Sequence, residues 1–281
     1  MTKQARRAAP RWLGALLLMA VAAPYAAASS PYTLTDGNAR LDVQFSARPD
    51  TTWSDGLVTS SLTVDGDASR VANDLYAWSL PSARVAQSQQ TAANRVETLY
   101  GGLSWWYSFA YELTGGAPNS GEATIQETIT LGNSFMYGAL TLPLYGFADY
   151  NLSSQDQATM LAPDTLLQRG KDSSLLVTST IAPSHFEIGD PDALLAKIET
   201  QPNTNLSDSP GLGAAFPSAP GNAAYGLQWN VNVDRGLSRS FTVTKRISTM
   251  HASTVPEPGS LALMVAGLLP ALGLARRRAR R

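Results

Sequence analysis

The sequence predicts an all-β protein: an antiparallel β-sandwich body with one short helix, flanked by a signal-peptide helix and a C-terminal transmembrane helix. Three observations carry this reading. Leu103 to Leu113 alternates without a break, with Leu103, Trp105, Tyr107, Phe109, Tyr111 and Leu113 on one face and Ser104, Trp106, Ser108, Ala110 and Glu112 on the other. A period of two over that length does not suit a helix. Shorter alternating runs recur between polar turns, with no strand–helix–strand rhythm. The two ends differ in kind: each is an apolar run beside basic residues.

Taken in order, residues 29–252 form the body. Leu41-Asp42-Val43-Gln44-Phe45 alternates as a half-buried strand. Leu57 to Val64 follows and closes on Asp65-Gly66, a hairpin signal. Leu75 to Leu80 ends at Pro81, and Leu103 to Leu113 runs into the loop Gly115 to Gly121. Ala123 to Leu131 puts Ile125, Ile129 and Leu131 on one face and Thr124, Gln126, Thr128 and Thr130 on the other. Phe135–Leu142 and Leu144–Phe147 continue the pattern. Asp190 followed by Pro191 starts the one expected helix, which carries Leu194, Leu195 and Ile198 on a shared face up to Thr200. Gln201 to Asn222 is rich in Pro, Gly, Asn and Ser and is expected as a long surface loop. The last hairpin alternates at Leu227, Trp229, Val231 and Val233, turns at Asp234-Arg235-Gly236, and returns through Phe241, Val243, Lys245 and Ile247.

Residues 1–28 read as a signal peptide. Lys3, Arg6, Arg7 and Arg11 precede the run Trp12 to Ala23, Pro24 breaks it, and Ala26-Ala27-Ala28 supplies the small residues a signal peptidase cleaves after, so the mature chain is expected to begin at Ser29. Nothing after Arg6-Arg7 continues as a twin-arginine signal, so the ordinary secretory route is expected. Residues 253–281 order three parts: Pro256-Glu257-Pro258, the apolar run Leu261 to Ala275, and Arg276, Arg277, Arg278, Arg280 and Arg281. The two prolines hold the chain extended. Gly259 to Ala275 is at the short limit for crossing hydrocarbon, and the arginines hold its end on the cytoplasmic side.

This tail resembles the PEP-CTERM sorting signal of Gram-negative bacteria that make exopolysaccharide. The resemblance implies cutting by the membrane protease exosortase, passage through the inner membrane, and delivery to the cell surface or extracellular matrix, with exopolysaccharide as a partner. The body also resembles those of other PEP-CTERM proteins at Trp105-x-Tyr107-x-Phe109, Ala148-Asp149-Tyr150-Asn151-Leu152 and Gln228-Trp229, a likeness that implies no activity.

Charge and composition narrow the function. Apart from the basic residues of the two ends and Glu257, the body holds 12 basic and 21 acidic residues, which argues against a nucleic-acid partner. There is no cysteine, and His185 and His251 are the two histidines, so thiolate chemistry and His-rich metal sites are excluded. No metal or cofactor is expected. Glu112, Glu122, Glu127 and Asp149 are the acids nearest aromatic residues, and no spacing pairs two of them as glycoside hydrolysis requires. Asp36, Asp65 and Asp67 fall in turns, where Asp is ordinary turn chemistry rather than a calcium site. The threonine row 124–130 reads as a wet strand face rather than an ice-matching array.

The body is therefore expected to be a non-enzymatic surface or matrix protein. The alternatives are a carbohydrate-binding module, for which Trp106 and Glu112 are the candidate residues because a sugar ring can lie on a flat aromatic face, and a glycan-active enzyme. The expectation for Trp106 is that the helix or a loop covers its face, so that Trp106→Ala affects stability more than glycan affinity.

Overall fold

A computed structural model describes residues 31–46, 57–66, 72–77, 84–101, 105–134, 138–153, 155–200 and 205–249. The expected signal peptide with Ala26, Ala28 and Ser29, and the expected sorting tail with Pro256, Glu257, Pro258 and its arginines, lie outside these. Among the described residues no helix is long and apolar enough to cross a membrane.

The strands, in chain order, are β1 (Tyr32–Asp36), β2 (Ala39–Ser46), β3 (Leu57–Val64), β4 (Ala72–Ala77), β5 (Arg84–Ala92), β6 (Arg95–Gly101), β7 (Trp105–Gly115) and β8 (Glu122–Asn133). They continue with β9 (Leu140–Tyr150), β10 (Asp156–Ala162), β11 (Thr165–Arg169), β12 (Ser173–Ser179) and β13 (His185–Gly189). The helix α1 (Pro191–Thr200) precedes β14 (Ala215–Gly221), β15 (Ala224–Val233) and β16 (Ser238–Thr249). They form two antiparallel sheets. One has seven strands in the order β1-β2-β3-β4-β9-β15-β13, the other nine in the order β14-β10-β11-β12-β16-β8-β7-β6-β5. The body is an all-β sandwich with one short helix.

Period-two alternation builds the core between the sheets. β7 turns Tyr107, Phe109 and Tyr111 inward, all at 1% exposure or less. Opposite them stand Phe45, Tyr76 and Trp229 of the seven-stranded sheet. Ring pairs cross the gap: Phe45–Tyr111 at 6.3 Å, Tyr76–Phe109 at 5.5 Å and Trp229–Phe241 at 5.1 Å between centroids. Such tilted contacts add to burial. One polar cluster sits inside this core. Lys245 Nζ donates to Glu127 Oε1 at 2.9 Å, and Tyr76 Oη donates to Glu127 Oε2 at 2.6 Å.

Turn residues sew the sheets together at one end. Asp65, at φ +53°, accepts the backbone N–H groups of Asn119 and Gly121 at 2.7 and 2.8 Å, and Asp36 accepts that of Gly115 at 2.9 Å. Both acids are thus engaged as turn chemistry, as read from the sequence; Asp67 lies outside the described residues. Gly115 is required here, because a Cβ would stand 1.9 Å from the Asp36 carbonyl oxygen.

Two elements differ from expectation. The end of the expected run Phe135–Leu142, from Leu140 on, and Leu144–Phe147 fall in one strand, β9, which runs straight through Pro143, while residues 135–137 lie outside the described residues. Pro143 pairs with Asn230 of β15 but lies past the end of β4, whose pairing stops at Tyr145. Among the described residues nothing pairs with Pro143 on that side, so its missing amide donor leaves no ladder bond unmade there. The expected loop 201–222 contains β14, which pairs irregularly with β10, and residues 205–209, which strap across β13. There the N–H of Asp208 donates to the Phe186 carbonyl at 2.8 Å, and the N–H of Ile188 to that of Ser209 at 2.9 Å.

Candidate functional site

α1 begins as expected: Asp190 Oδ1 accepts the N–H of Ala193 at 3.1 Å, an N-cap. Its apolar face, Leu194 and Ile198, packs with Leu206 on Tyr145, Phe147 and Ala224. That is the outer face of the seven-stranded sheet, so the helix does not cover Trp106, which faces outward from the nine-stranded one.

Around Trp106 the outer face is built from alternate residues of four strands. β7 contributes Trp106, Ser108, Ala110 and Glu112. The register sets Gly101, Leu99, Glu97 and Arg95 of β6 beside them, and Gly132, Thr130, Thr128 and Gln126 of β8 on the other side. Gln87 and Gln89 of β5 stand opposite Leu99 and Glu97. Trp106 thus has glycine as its cross-strand partner on both strands.

Gly132 shows where the indole goes. A Cβ at Gly132 would lie 1.9 to 2.4 Å from Trp106 Cε2, Nε1 and Cζ2. The ring therefore lies down over the β8 backbone, in space that any side chain at 132 would fill. Gly132 is buried beneath it while Trp106 keeps part of its surface in solvent. On the other side of β7, over β5 and β6, Gln87, Gln89, Glu97, Leu99, Ser108 and Ala110 line a cavity of about 160 Å³ that the ring does not reach into.

Glu112 does not join Trp106 at a single sugar. Six residues along one strand is roughly 20 Å, and Glu112 is held by an ion pair, its Oε2 accepting Arg95 Nη1 at 2.9 Å. The same guanidinium grips Glu97, with Nε and Nη2 donating to Oε1 at 2.9 and 2.8 Å. The hydrogen bonds that Arg95 donates to Glu97 raise its pKa by more than burial lowers it, and the charge of Glu97 and the contact with Glu112 add to the rise. Arg95 and Glu97 escaped the sequence reading. Their signal was there: Val96, Thr98 and Tyr100 alternate inward, which throws Arg95, Glu97 and Leu99 out.

The other acids are dispersed. Glu127 is inside the core. Glu122 lies 3.6 Å from Arg246 on the surface. Asp149 is on the seven-stranded sheet, where burial, then Asp156, Asp192 and Asp190, push its carboxyl up. His185 Nδ1 meets Asp208 Oδ2 at 2.9 Å beside the strap. Among the described residues no three His, Asp or Glu side chains are grouped to hold a metal.

No protein-family model and no curated protein matches the chain. Solved structures do. A candidate aldose 1-epimerase from Escherichia coli K12 aligns at 11% identity and TM-score 0.49 over 79% of this chain and 99% of its own. The aldose epimerase homologue of C. elegans aligns at 10% and 0.40 over 80% and 100%. A bacterial glucoamylase complexed with acarbose aligns at 10% and 0.41 over 83% of this chain and 34% of its own. The expectation of a non-enzymatic protein is corrected by this finding, because the chains it is similar to carry enzyme names. At such distances the likeness transfers neither a substrate nor a catalytic residue.

Proposed function

We propose that the body binds carbohydrate on the outer face of its nine-stranded sheet, and that the chain is exported by its N-terminal signal peptide and sorted through its PEP-CTERM tail to the cell surface or matrix. The observation that carries the binding reading is the half-exposed Trp106 indole laid flat over Gly132 on the outer face of the nine-stranded sheet. A flat, partly wet aromatic face receives the apolar C–H face of a sugar ring, while neighbouring amides and hydroxyls exchange hydrogen bonds with the ring's hydroxyl groups. Gln87, Gln89 and Ser108 both donate and accept. Two glycines flanking one tryptophan fit a plate better than they fit a packing element, since they remove the side chains that would prop the ring upright.

The reading rests on this site and not on the names of similar structures. Its test is a glycan array probed with the full chain and with Trp106→Ala, alongside thermal melts. Binding by the parent that the variant loses at an unchanged melting temperature supports it. A variant that melts lower yet keeps every glycan contradicts it, and returns Trp106 to a packing role.

A further inference from the structure

The core holds reactive groups that the proposed binding face does not use. Glu127 lies opposite Val243 in the pairing of β8 with β16, so Lys245 is its diagonal neighbour on the next strand, within reach of a long side chain. Both point inward, with the Lys245 and Glu127 side chains 3% and 1% exposed. Lys245 Nζ reaches Glu127 Oε1 at 2.9 Å, a hydrogen bond and not a covalent one. Tyr76, from the opposite sheet, donates its Oη hydrogen to the other carboxylate oxygen, Oε2, at 2.6 Å. An amine, a carboxyl group and a hydrogen-bond donor therefore meet where bulk water does not reach. The chain has no cysteine, so no disulfide can tie its strands.

We propose that this is a modification site at which Lys245 and Glu127 condense to an amide, a covalent cross-link between β8 and β16 that the folded chain makes by itself. Burial penalises the charged pair, which favours passing one proton from the ammonium to Oε1 along the hydrogen bond. That leaves a neutral amine, with a lone pair to give, beside a carboxylic acid. Nζ attacks Cδ, and the negative charge that develops on Oε2 is met by the Tyr76 Oη donor. A second proton moves from nitrogen to Oε1, the Cδ–Oε1 bond breaks and water leaves, so that the new N–Cδ bond and one N–H remain. One ammonium and one carboxylate thus give one amide and one water, with no oxidant or co-reactant. Groups held in place by a fold react as if at very high concentration, roughly 10⁵–10⁸ M in well-oriented cases, and a site without bulk water disfavours the reverse hydrolysis. The freshly folded chain carries the ion pair, and the bond builds up while the chain stays folded.

The test holds the purified full chain folded and warm, below its melting temperature, and follows its mass over days alongside a peptide map. The expected result is a growing fraction lighter by one water, with a linked peptide joining Glu127 to Lys245 and a denaturant midpoint that rises as the link builds up, because a long loop of the unfolded chain is then closed. The same chain kept in denaturant should not react, since the geometry belongs to the fold. Tyr76→Phe keeps both reacting groups and should slow the mass loss about tenfold or more, because it removes the donor on Oε2; an unchanged rate would overturn the role given to Tyr76, which a residue that only packs would not have. The double variant Lys245→Met with Glu127→Leu should lose no water. The parent decides the question by itself, so a variant that does not fold leaves the test intact. A parent whose mass and peptide map do not change, a linked peptide that forms equally in denaturant, or a linkage between other residues overturns the proposal, and each of these outcomes is separate from the Trp106 reading.

Discussion

Lys245 stands where an alternating strand calls for an apolar side chain, between Val243 and Ile247 on the inward face of β16, and at 3% exposure it is as buried as they are. It is tolerated because β8 places Glu127 against it, and Tyr76 completes the carboxylate. Breaking such a pair on one side leaves a charge that the core cannot solvate. Lys245→Met is therefore expected to cost about 3–5 kcal/mol in a denaturant melt, and adding Glu127→Leu to recover most of it; a double variant no better than the single would show that the pair is not acting as a unit. Sequence reasoning put Lys245 in the right row but could not supply its partner, because Glu127 is 118 residues away and the register of β16 on β8 is a tertiary fact. The same limit hid the role of Gly132. Its identity is plain in the sequence, but the ring that needs it comes from another strand. Gly132→Ala forces the indole up, so it is expected to weaken glycan binding without removing any group that touches the sugar. Unchanged binding in this variant would mean that the ring's flat seat is not what the ligand uses.

Local alternation was the most legible feature at the scale of elements. The inward and outward sets of β7, the span Leu57–Val64 of β3, the Asp190 cap of α1 and the β15–β16 hairpin all follow from side-chain period and turn chemistry. What eluded the sequence were β14 and the strap 205–209, since proline- and asparagine-rich segments take their shape from what they lie on. The strap hangs on carboxylates. Glu187 is pushed up by burial but drawn lower overall by Lys197 and the N–H of Ser207. Asp208 likewise falls below its ordinary value, because hydrogen bonds from His185 and the Phe186 N–H outweigh burial. A carboxylate with a lowered folded-state pKa contributes stability that is present above the unfolded value, near 4, and is lost as pH falls through the folded one. Amide hydrogen exchange at Leu206 and Asp208, corrected for intrinsic rate, should therefore lose protection below about pH 4 before the core amides of β7 do. Protection that holds in the strap until the core also opens would contradict this.

Over the whole molecule, the sandwich presents two unlike outer faces: one takes the helix and the strap, the other keeps an aromatic plate among amides and hydroxyls. In the chain, the expected signal peptide precedes β1 and the expected tail follows β16. Replacing Pro256-Glu257-Pro258 with alanines should leave the chain held in the inner membrane at full mass in a host with exosortase, where the parent is cut; a parent that still carries Arg281 in that host would show that the tail is not a sorting signal. The central claim, that a sugar lies on the Trp106 ring, is tested most directly by calorimetric titration of the parent, Trp106→Phe and Trp106→Ala with one neutral oligosaccharide. The expected order is parent strongest, phenylalanine weaker because its ring is smaller, and alanine at least about tenfold weaker than the parent, all three with melting temperatures close together. Equal affinity across the three, or no saturable heat from the parent, would contradict it.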